Sequence, residues 1–292
     1  MYLADKWEDY KLIDTCDGKK LESWGGYVLV RPDPQVIWKN CESSPLWQKA
    51  DASYMRSVKG GGAWKGKSNL PDEWFVSYES LGLKFVIRPM GFKHTGLFPE
   101  QAANWEWFYR LIKKQNRQIK VLNLFAYTGG ATVAAAKAGA SVVHVDASKG
   151  MVAQAKENAQ LSGLADAPIR YIVDDCRKFV EREIRRGNRY DAVIMDPPSY
   201  GRGPTGEVWK LEDCIHDFVK LCVGVLSDDP LFLLLNSYTT GLSASTMSYI
   251  LNLELVKKFG GSVSADELGL PVIQTGAPLP CGSAARWLRA LP

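Results

Sequence analysis

The chain has 292 residues, and its 36 basic and 32 acidic side chains give a formal net charge of +4. With 46% hydrophobic and 23% charged residues, its composition is that of a globular protein, which excludes a disordered or fibrous chain. The charge is compatible with a polyanionic partner but is too small to identify a nucleic-acid-binding protein. The length predicts a main domain with an appendage.

Cysteine usage and apolar runs limit the class further. The six cysteines form no C-x-x-C pair and there are three histidines, so we expect reduced thiols and no metal site. Residues 1–11 are polar, and the longest purely apolar run, 231–235, is far too short to span a bilayer. These features predict a cytoplasmic protein that does not contact a membrane.

Residues 1–93 are rich in Trp, Gly and Pro, and their apolar runs are short, at 27–30, 74–78 and 83–87. Short apolar runs between turn residues are typical of strands, so we predict a small β-rich domain over 1–93. Six of the ten tryptophans lie in this part, and several of them are beside Lys39, Lys49, Lys65 and Lys67: Trp7, Trp24, Trp38, Trp47, Trp64 and Trp74. A hydrophobic core is the favoured interpretation of these residues, and a surface that stacks single-stranded RNA is the alternative.

After a predicted helix over 99–115, apolar strands alternate with helices. The strands are predicted at 121–125, 141–145, 169–173, 192–195 and 231–235. The helices are predicted at 131–138, 149–161, 177–186 and 211–226. Such alternation produces a parallel sheet with helices on both faces. The fold class is therefore predicted as α/β, a doubly wound sheet over residues 94–292 with the smaller N-terminal β-rich domain beside it.

Ligands of doubly wound sheets bind beyond the carboxyl ends of the strands. The first predicted strand ends in Asn123-Leu124-Phe125-Ala126-Tyr127-Thr128-Gly129-Gly130, which leads directly into a helix. Glycine lets the backbone approach a ligand, and a helix N-terminus offers free N–H groups. The second strand ends at Asp146, where nucleoside-binding units carry a carboxylate for the ribose hydroxyls. An N-cap of the next helix is the alternative for Asp146.

The next two strands also end in acidic residues. The third ends in Asp174-Asp175-Cys176, which offers an acceptor for an exocyclic amine, although either aspartate could instead cap the next helix. The fourth ends in Asp196-Pro197-Pro198-Ser199-Tyr200. Because a residue before proline is held extended and proline has no N–H, Asp196 and the nearby carbonyls are held as acceptors that can orient an amine. A rigid turn is the alternative for this segment.

These strand ends together resemble class I S-adenosylmethionine-dependent methyltransferases, which have a Rossmann-like sheet. Within that class they are most similar to the bacterial large-subunit ribosomal RNA base methyltransferases, which carry an Asn-x-Phe-x-Tyr-Thr-Gly turn. The segment 91–101 also resembles the cofactor-facing lead-in of that group. The resemblance covers roughly residues 83–262. It implies S-adenosyl-L-methionine as the cofactor and RNA, specifically ribosomal RNA, as the partner.

The resemblance also implies site residues. It implies that the turn 125–129 faces the methionine part of the cofactor, Asp146 the ribose, Asp175 the adenine and Asp196 the reaction centre. The implied cofactor-binding residues are Thr95, Gly96, Phe98, Gln101, Asn123, Phe125, Ala126, Tyr127, Thr128, Gly129, Asp146, Ala147, Ser148, Asp175, Cys176 and Asp196. The implied catalytic residues are Asp196, Pro197, Pro198 and Tyr200.

This sequence departs from the family pattern at two places. Phe125 and Tyr127 stand where the broad superfamily has glycines. Cytosine C5 methylation needs a thiolate that adds to the base, and the members that perform it carry a cysteine after the fifth strand, where this chain reads Asn236-Ser237-Tyr238-Thr239. We therefore predict methylation of a base nitrogen without a covalent intermediate.

Other functions and motifs stay open beside this prediction. A methyltransferase for a protein or a small molecule, and a cofactor- or RNA-binding module without catalysis, are the alternatives; the oligomeric state, the substrate and the methylated atom are left open. A P-loop string at 61–68 lacks the required strand and helix, with Pro71 where the helix should run. A dinucleotide-like string at 201–206 is interpreted as a mobile substrate loop, where Arg202 and Lys210 could meet phosphate or simply be solvated.

Overall fold

The computed structural model describes residues 1–39, 42–57, 61–89, 91, 94–202 and 208–290. The strands are β1 (Tyr2–Leu3), β2 (Tyr10–Cys16), β3 (Lys19–Trp24), β4 (Tyr27–Pro32), β5 (Ala52–Arg56), β6 (Gly62–Lys65), β7 (Trp74–Tyr78), β8 (Leu83–Ile87), β9 (Lys120–Leu124), β10 (Ser141–Asp146), β11 (Ile169–Val173), β12 (Ala192–Met195), β13 (Tyr200–Arg202), β14 (Val208–Lys210), β15 (Phe232–Ser237), β16 (Ser262–Pro271) and β17 (Pro278–Leu288). The helices are α1 (Ala102–Lys113), α2 (Gly130–Lys137), α3 (Lys149–Leu161), α4 (Cys176–Arg185), α5 (Leu211–Val223), α6 (Ala244–Leu251) and α7 (Lys257–Phe259).

The main sheet has eight strands in the order β1-β16-β17-β15-β12-β9-β10-β11. The five strands from β11 to β15 in this order are parallel, whereas β17 runs antiparallel to β15 and to β16. The chain leaves β11 at one edge and re-enters at β12 on the other side of β9. Such a reversal of strand order opens a crevice at the carboxyl ends of the strands beside β9. The predicted doubly wound α/β fold is confirmed.

The apolar content of the sequence explains where these elements form. β12 is buried along its whole length, and so is β15, because helices cover both faces of the sheet. The predicted helix over 99–115 forms in two parts, since Pro99–Gln101 is a 3₁₀ turn and α1 follows it. Proline is tolerated in the first turn of a helix, where its missing N–H costs nothing.

The N-terminal part contains a five-stranded sheet in the order β2-β3-β4-β5-β6 and the hairpin β7–β8. A domain boundary at residue 93 stays a prediction. Across it, Trp24 and Trp74 share one apolar core with Trp105 of α1, and the indole N–H of Trp7 donates to the carbonyl of Pro99 over 2.9 Å. β1 joins the main sheet by pairing with β16. The N-terminal part is thus packed directly against the lead-in to the ligand-binding edge.

The cysteines differ from expectation at one position. Cys16 is disulfide-bonded, so the prediction of reduced thiols is wrong there. Cys176, Cys214, Cys222 and Cys281 are free thiols.

Among the described residues, none of the helices combines the length and the apolar character that crossing a bilayer demands. The same ranges hold no group of three or more His, Cys, Asp or Glu side chains placed to bind a metal ion. The P-loop string at 61–68 forms β6 and a short 3₁₀ turn, Lys67–Asn69. This arrangement lacks the helix N-terminus that a P-loop needs for phosphate.

Candidate active site

A cavity of about 440 Å³ lies at the carboxyl ends of β9, β10 and β12. Most of the residues that the sequence predicts for the site line it together. These are Phe98, Gln101, Asn123, Phe125, Ala126, Tyr127, Thr128, Asp146, Ala147, Asp175, Cys176, Asp196, Pro197 and Pro198. The topology accounts for this convergence, because parallel strands bring their carboxyl ends to one edge.

Five predicted residues do not line the cavity. Gly96 and Ser148 each bond to a residue that lines it: the Gly96 carbonyl accepts from the Thr128 hydroxyl at 2.5 Å, and the Ser148 amide donates to Asp146 at 2.8 Å. Thr95 is fully buried beside Gly96. Gly129 is the N-cap residue of α2 and has φ 83. Tyr200 is 55% exposed on β13, so the structure does not bring its side chain to the cavity.

The turn after β9 has an unusual backbone. Phe125 has φ 54 and Tyr127 has φ 50, so both occupy the left-handed region, which costs a residue with a side chain about 1–2 kcal/mol. Contacts to the ends of neighbouring strands hold them there: the Phe125 amide donates to Cys176 Sγ over 3.2 Å and the Tyr127 amide to Asp146 over 2.8 Å. The two positions where the broad superfamily has glycines thus both adopt positive φ, as does Gly129 in the same turn.

Asp146 ends β10 with its carboxylate oriented by the backbone. One oxygen accepts from the Tyr127 amide and the other from the Ser148 amide, each at 2.8 Å. The N-cap residue of α3 is Ser148, so Asp146 does not take the alternative role of capping this helix. A carboxylate oxygen can accept more than one hydrogen bond, and the fixed carboxylate of Asp146 can therefore also accept from a ligand hydroxyl.

Asp175 and Cys176 follow β11 on the same wall. Asp175 caps α4 by accepting from the Lys178 amide at 2.8 Å, and it also lines the cavity. The helix cap and the ligand contact, the two roles predicted for Asp175, are therefore compatible with each other. Burial raises the pKa of the Cys176 thiol well above its usual value, so this side chain is a protonated thiol and not a thiolate.

Asp196 ends β12 as a partly buried carboxyl group. Burial, and then the negative charge of Glu100, raise the pKa of Asp196 to about 7. Two of the following residues, which also line the cavity, are anchored by hydrogen bonds: the Pro198 carbonyl accepts from the indole N–H of Trp209 at 2.7 Å, and the Ser199 hydroxyl accepts from Thr239 at 2.6 Å. Asp196 is thus a base of near-neutral pKa at the end of a rigid segment.

A buried polar network that the sequence analysis does not identify supports the opposite wall. Tyr238 donates its hydroxyl to Glu100 and accepts from the Gln101 amide, both at 2.9 Å. Asn104 donates to Gln101 and to Asn236, also at 2.9 Å each. Arg286 of β17 donates to the side-chain amide oxygen of Asn104. The available signal was the position of Tyr238 directly after the fifth strand of the parallel set, at the ligand-binding edge.

Aromatic rings form part of the wall beside this network. The ring of Phe98 lies 5.5 Å from that of Tyr127 and 5.5 Å from that of Tyr238, and His94 lies 5.3 Å from Phe98. A second cavity of about 160 Å³ shares Phe98 and Tyr238 with the first and is also lined by Cys281. The first cavity therefore combines carboxylates at three strand ends with ring faces on which a planar ligand group can stack.

The string at 201–206 lies on the hairpin β13–β14, and its residues 203–206 lie outside the described residues. The prediction of a mobile substrate loop falls mainly on that part. Lys210, which we considered for a phosphate contact, forms an ion pair of 3.6 Å with Asp213.

This chain is similar to known proteins in sequence and in structure. A model of the S-adenosylmethionine-dependent methyltransferase family matches residues 61–217. The crystal structure of a SAM-dependent methyltransferase from Agrobacterium tumefaciens superposes with a TM-score of 0.89 at 41% identity, covering 97% of this chain and 91% of that chain.

Two curated relatives match over shorter segments. Ribosomal RNA large subunit methyltransferase K/L from Shewanella baltica is 37% identical over 120 residues, which are 41% of this chain and 16% of that protein. Ribosomal RNA large subunit methyltransferase I from Aeromonas hydrophila is 32% identical over 131 residues, 44% of this chain and 32% of that protein. The chain thus spans a third or less of the length of these relatives.

Proposed function

The chain belongs to the S-adenosylmethionine-dependent methyltransferase family, and on that premise we propose that it methylates a base nitrogen in ribosomal RNA without a covalent enzyme–base intermediate. One observation carries the proposal: the Asp196 carboxyl group, followed by Pro197-Pro198, opens into the same cavity as the turn after β9. A near-neutral base and a cofactor turn in one cavity are what nitrogen methylation requires.

The residues present fit S-adenosyl-L-methionine. We assign the ribose to Asp146, whose two oxygens are fixed by backbone amides, the adenine to Asp175 and the methionine part to the turn 125–129. At Gly130 a Cβ would lie 2.7 Å from the Trp105 ring, so a side chain there cannot be accommodated where α2 opens beside the cavity. The cofactor supplies an electrophilic methyl group on a sulfonium.

The protein then has to position the substrate nitrogen and to accept a proton. An Asp196 carboxylate accepts a hydrogen bond from the substrate N–H and so aims the nitrogen at the methyl carbon, which is a positioning effect. After transfer the nitrogen carries an extra proton, and the same carboxylate can accept it. Since a general base is most effective when its pKa lies near the working pH, a pKa of about 7 suits Asp196 to this role.

Thiol chemistry supports the non-covalent route. Cys176 lines the cavity and Cys281 lines its smaller neighbour. Burial raises the pKa of both thiols far above neutrality, and the charge of Glu100 adds to the effect at Cys281. Because the thiolate is the nucleophile, neither residue is suited to attack a base.

An RNA base as substrate is supported by the aromatic wall and by the names of the curated relatives. Phe98 and Tyr238 present rings beside Asp196, and an extruded base is commonly held by such stacking. A base within a duplex would first be flipped into the cavity. We assign RNA contact also to the N-terminal part, residues 1–93, whose Trp7 bonds to Pro99 of the segment that leads to the cavity.

The proposal is tested with RNA from a strain that lacks this protein. Purified protein and labelled S-adenosyl-L-methionine should incorporate methyl label into that RNA, and Asp196→Asn should reduce incorporation by about 10²-fold or more. Asp213→Asn, at an exposed carboxylate on α5, is the matched control and should behave as wild type. No label in this RNA, with label in the protein or small-molecule fraction of an extract of the same strain, would overturn the RNA assignment and favour the alternative substrate classes.

A further inference from the structure

Trp209 of β14 contacts two residues that line the cavity, Phe125 and Pro198. Its indole N–H donates to the Pro198 carbonyl at 2.7 Å. Its ring lies 5.7 Å from that of Phe125 and 5.6 Å from that of Phe218, perpendicular to the latter. Phe125 belongs to the turn after β9, and Pro198 follows the Asp196 carboxylate. One side chain therefore connects the cofactor turn to the acceptor segment.

The hydrogen bond to the Pro198 carbonyl holds a segment that can form few backbone hydrogen bonds of its own. Pro197 and Pro198 have no N–H and cannot donate to a neighbouring strand. The next residue, Ser199, is held from other elements, because its carbonyl accepts from Leu211 at 3.0 Å and its hydroxyl from Thr239 at 2.6 Å. The indole bond thus holds the part of the segment nearest to Asp196.

This bond occupies one of the carbonyls beside the reaction centre. The Pro198 carbonyl already accepts the indole N–H of Trp209. The carboxylate of Asp196 lines the cavity as the acceptor that the proposed reaction uses. On the Phe125 side, the ring contact supports a residue whose backbone has φ 54, a conformation that persists only when its surroundings impose it.

From these contacts we propose that Trp209 is a positioning residue: it sets the distance between the Asp196 carboxylate and the turn 125–129, and so the alignment of the substrate nitrogen with the methyl group. The turnover part of this inference rests on the function proposed above. A misplacement of about 1 Å can cost roughly 10²-fold in rate, so a single anchoring bond at this place has a large effect.

The test is Trp209→Phe, which keeps an aromatic ring and removes the N–H. Trp287→Phe is the matched control, because the Trp287 indole also donates to a backbone carbonyl, that of Gly260 at 2.9 Å, at the amino end of β15 and away from the cavity. We expect Trp209→Phe to lower kcat by roughly tenfold or more, with the Kd for S-adenosylhomocysteine changed by less than about twofold because no ligand contact is removed. Trp287→Phe should lower Tm and leave kcat unchanged.

A second measurement does not depend on the substrate. Hydrogen–deuterium exchange of the peptide over 196–202 should become several-fold faster in Trp209→Phe and stay unchanged in Trp287→Phe. Unaltered exchange, or equal losses of kcat in the two variants, would overturn the positioning role. If wild-type protein methylates no RNA, the proposed substrate fails, while the exchange result still decides the role of Trp209.

Discussion

The hydroxyl of Tyr238 donates to the carboxylate of Glu100 over 2.9 Å, at the wall that separates the main cavity from its smaller neighbour. Burial raises the pKa of Glu100, and burial followed by the charges of Glu100 and Asp196 raises that of Tyr238. The tyrosine is therefore a neutral donor, and the negative charge of Glu100 lies near enough to act on Asp196.

This arrangement predicts the pH dependence of methyl transfer. Asp196 must be ionised to accept a proton, so kcat/KM should rise with pH through about 7, the value to which burial and Glu100 raise its pKa. Glu100→Gln keeps an acceptor for Tyr238 and removes the negative charge, which should move the rising limb to lower pH. Glu42→Gln, at an exposed carboxylate paired with Lys19, removes a charge elsewhere and should leave the limb in place. A limb that stays at the same pH in Glu100→Gln would contradict the assignment of Glu100.

The close approach of α2 to α3 predicts a stability difference between two glycines. Gly129 has φ +83 and its Cβ would lie 2.7 Å from the Cβ of Ala155, whereas Gly139 has φ +98 with no atom within 4 Å of its Cβ. Gly139→Ala should cost about 1–2 kcal/mol in the free energy of unfolding, the backbone penalty alone. Gly129→Ala should cost about 1–3 kcal/mol more through overpacking. Denaturant unfolding of the two variants measures this difference, and equal costs would show that α3 can move away.

In the N-terminal part, Asp14 predicts an acid-sensitive element. Its buried carboxylate accepts from the backbone of Thr15, Ser43 and Ser44 and from the indole of Trp47. Although burial acts to raise the pKa of Asp14, these hydrogen bonds hold it below its usual 3.8. The stabilisation is therefore present near neutral pH and is lost as the pH falls through the folded-state pKa.

Asp14→Asn should accordingly cost about 1–3 kcal/mol at neutral pH, because an amide NH₂ faces donors that are left unsatisfied. Asp72→Asn, at an exposed residue, is the control and should change little. Thermal unfolding between pH 3 and pH 7 checks both statements. A wild-type-like unfolding temperature for Asp14→Asn at pH 7 would show that these hydrogen bonds do not stabilise the fold.

The thiols give a chemical prediction. An RNA that carries 5-fluorocytosine traps an enzyme that attacks the base through a thiolate. Because burial keeps Cys176 and Cys281 protonated, no covalent adduct should form, and the Cys176→Ser and Cys281→Ser variants should retain methyl transfer. An adduct seen by denaturing electrophoresis, and lost in one of these variants, would replace the proposed mechanism with a covalent one.

Much of the fold could be predicted from sequence because parallel strands are buried on both faces and appear as apolar runs. The strand at 192–195 forms as predicted and is buried throughout. The strand at 169–173 also forms as predicted, although it is a partly exposed edge strand. β16 and β17 could not be predicted in this way, since the first six residues of β16 are exposed or only partly buried and β17 begins Pro-Leu-Pro. The pairing of β17 with β15, and of β16 with β17 and β1, depends on the rest of the sheet.

The residues of the site also divide into those that could be predicted from the sequence and those that could not. Asp146, Asp175 and Asp196 could be placed because topology alone brings the ends of parallel strands to one edge. The network around Glu100, by contrast, joins a 3₁₀ turn to Tyr238, far apart in the chain, and no local pattern marks such a contact. The predicted Tyr200 is 55% exposed on β13 and is not among the lining residues, whereas Tyr238 lines the cavity.

The most direct test of the account is mass spectrometry of nucleosides from the RNA of a deletion strain after incubation with the protein and S-adenosyl-L-methionine. The account predicts a nucleoside that has gained one methyl group on a base nitrogen with wild-type protein, and none with Asp196→Asn. A C5-methylated pyrimidine, or the same nitrogen-methylated product from Asp196→Asn at the wild-type level, would contradict it.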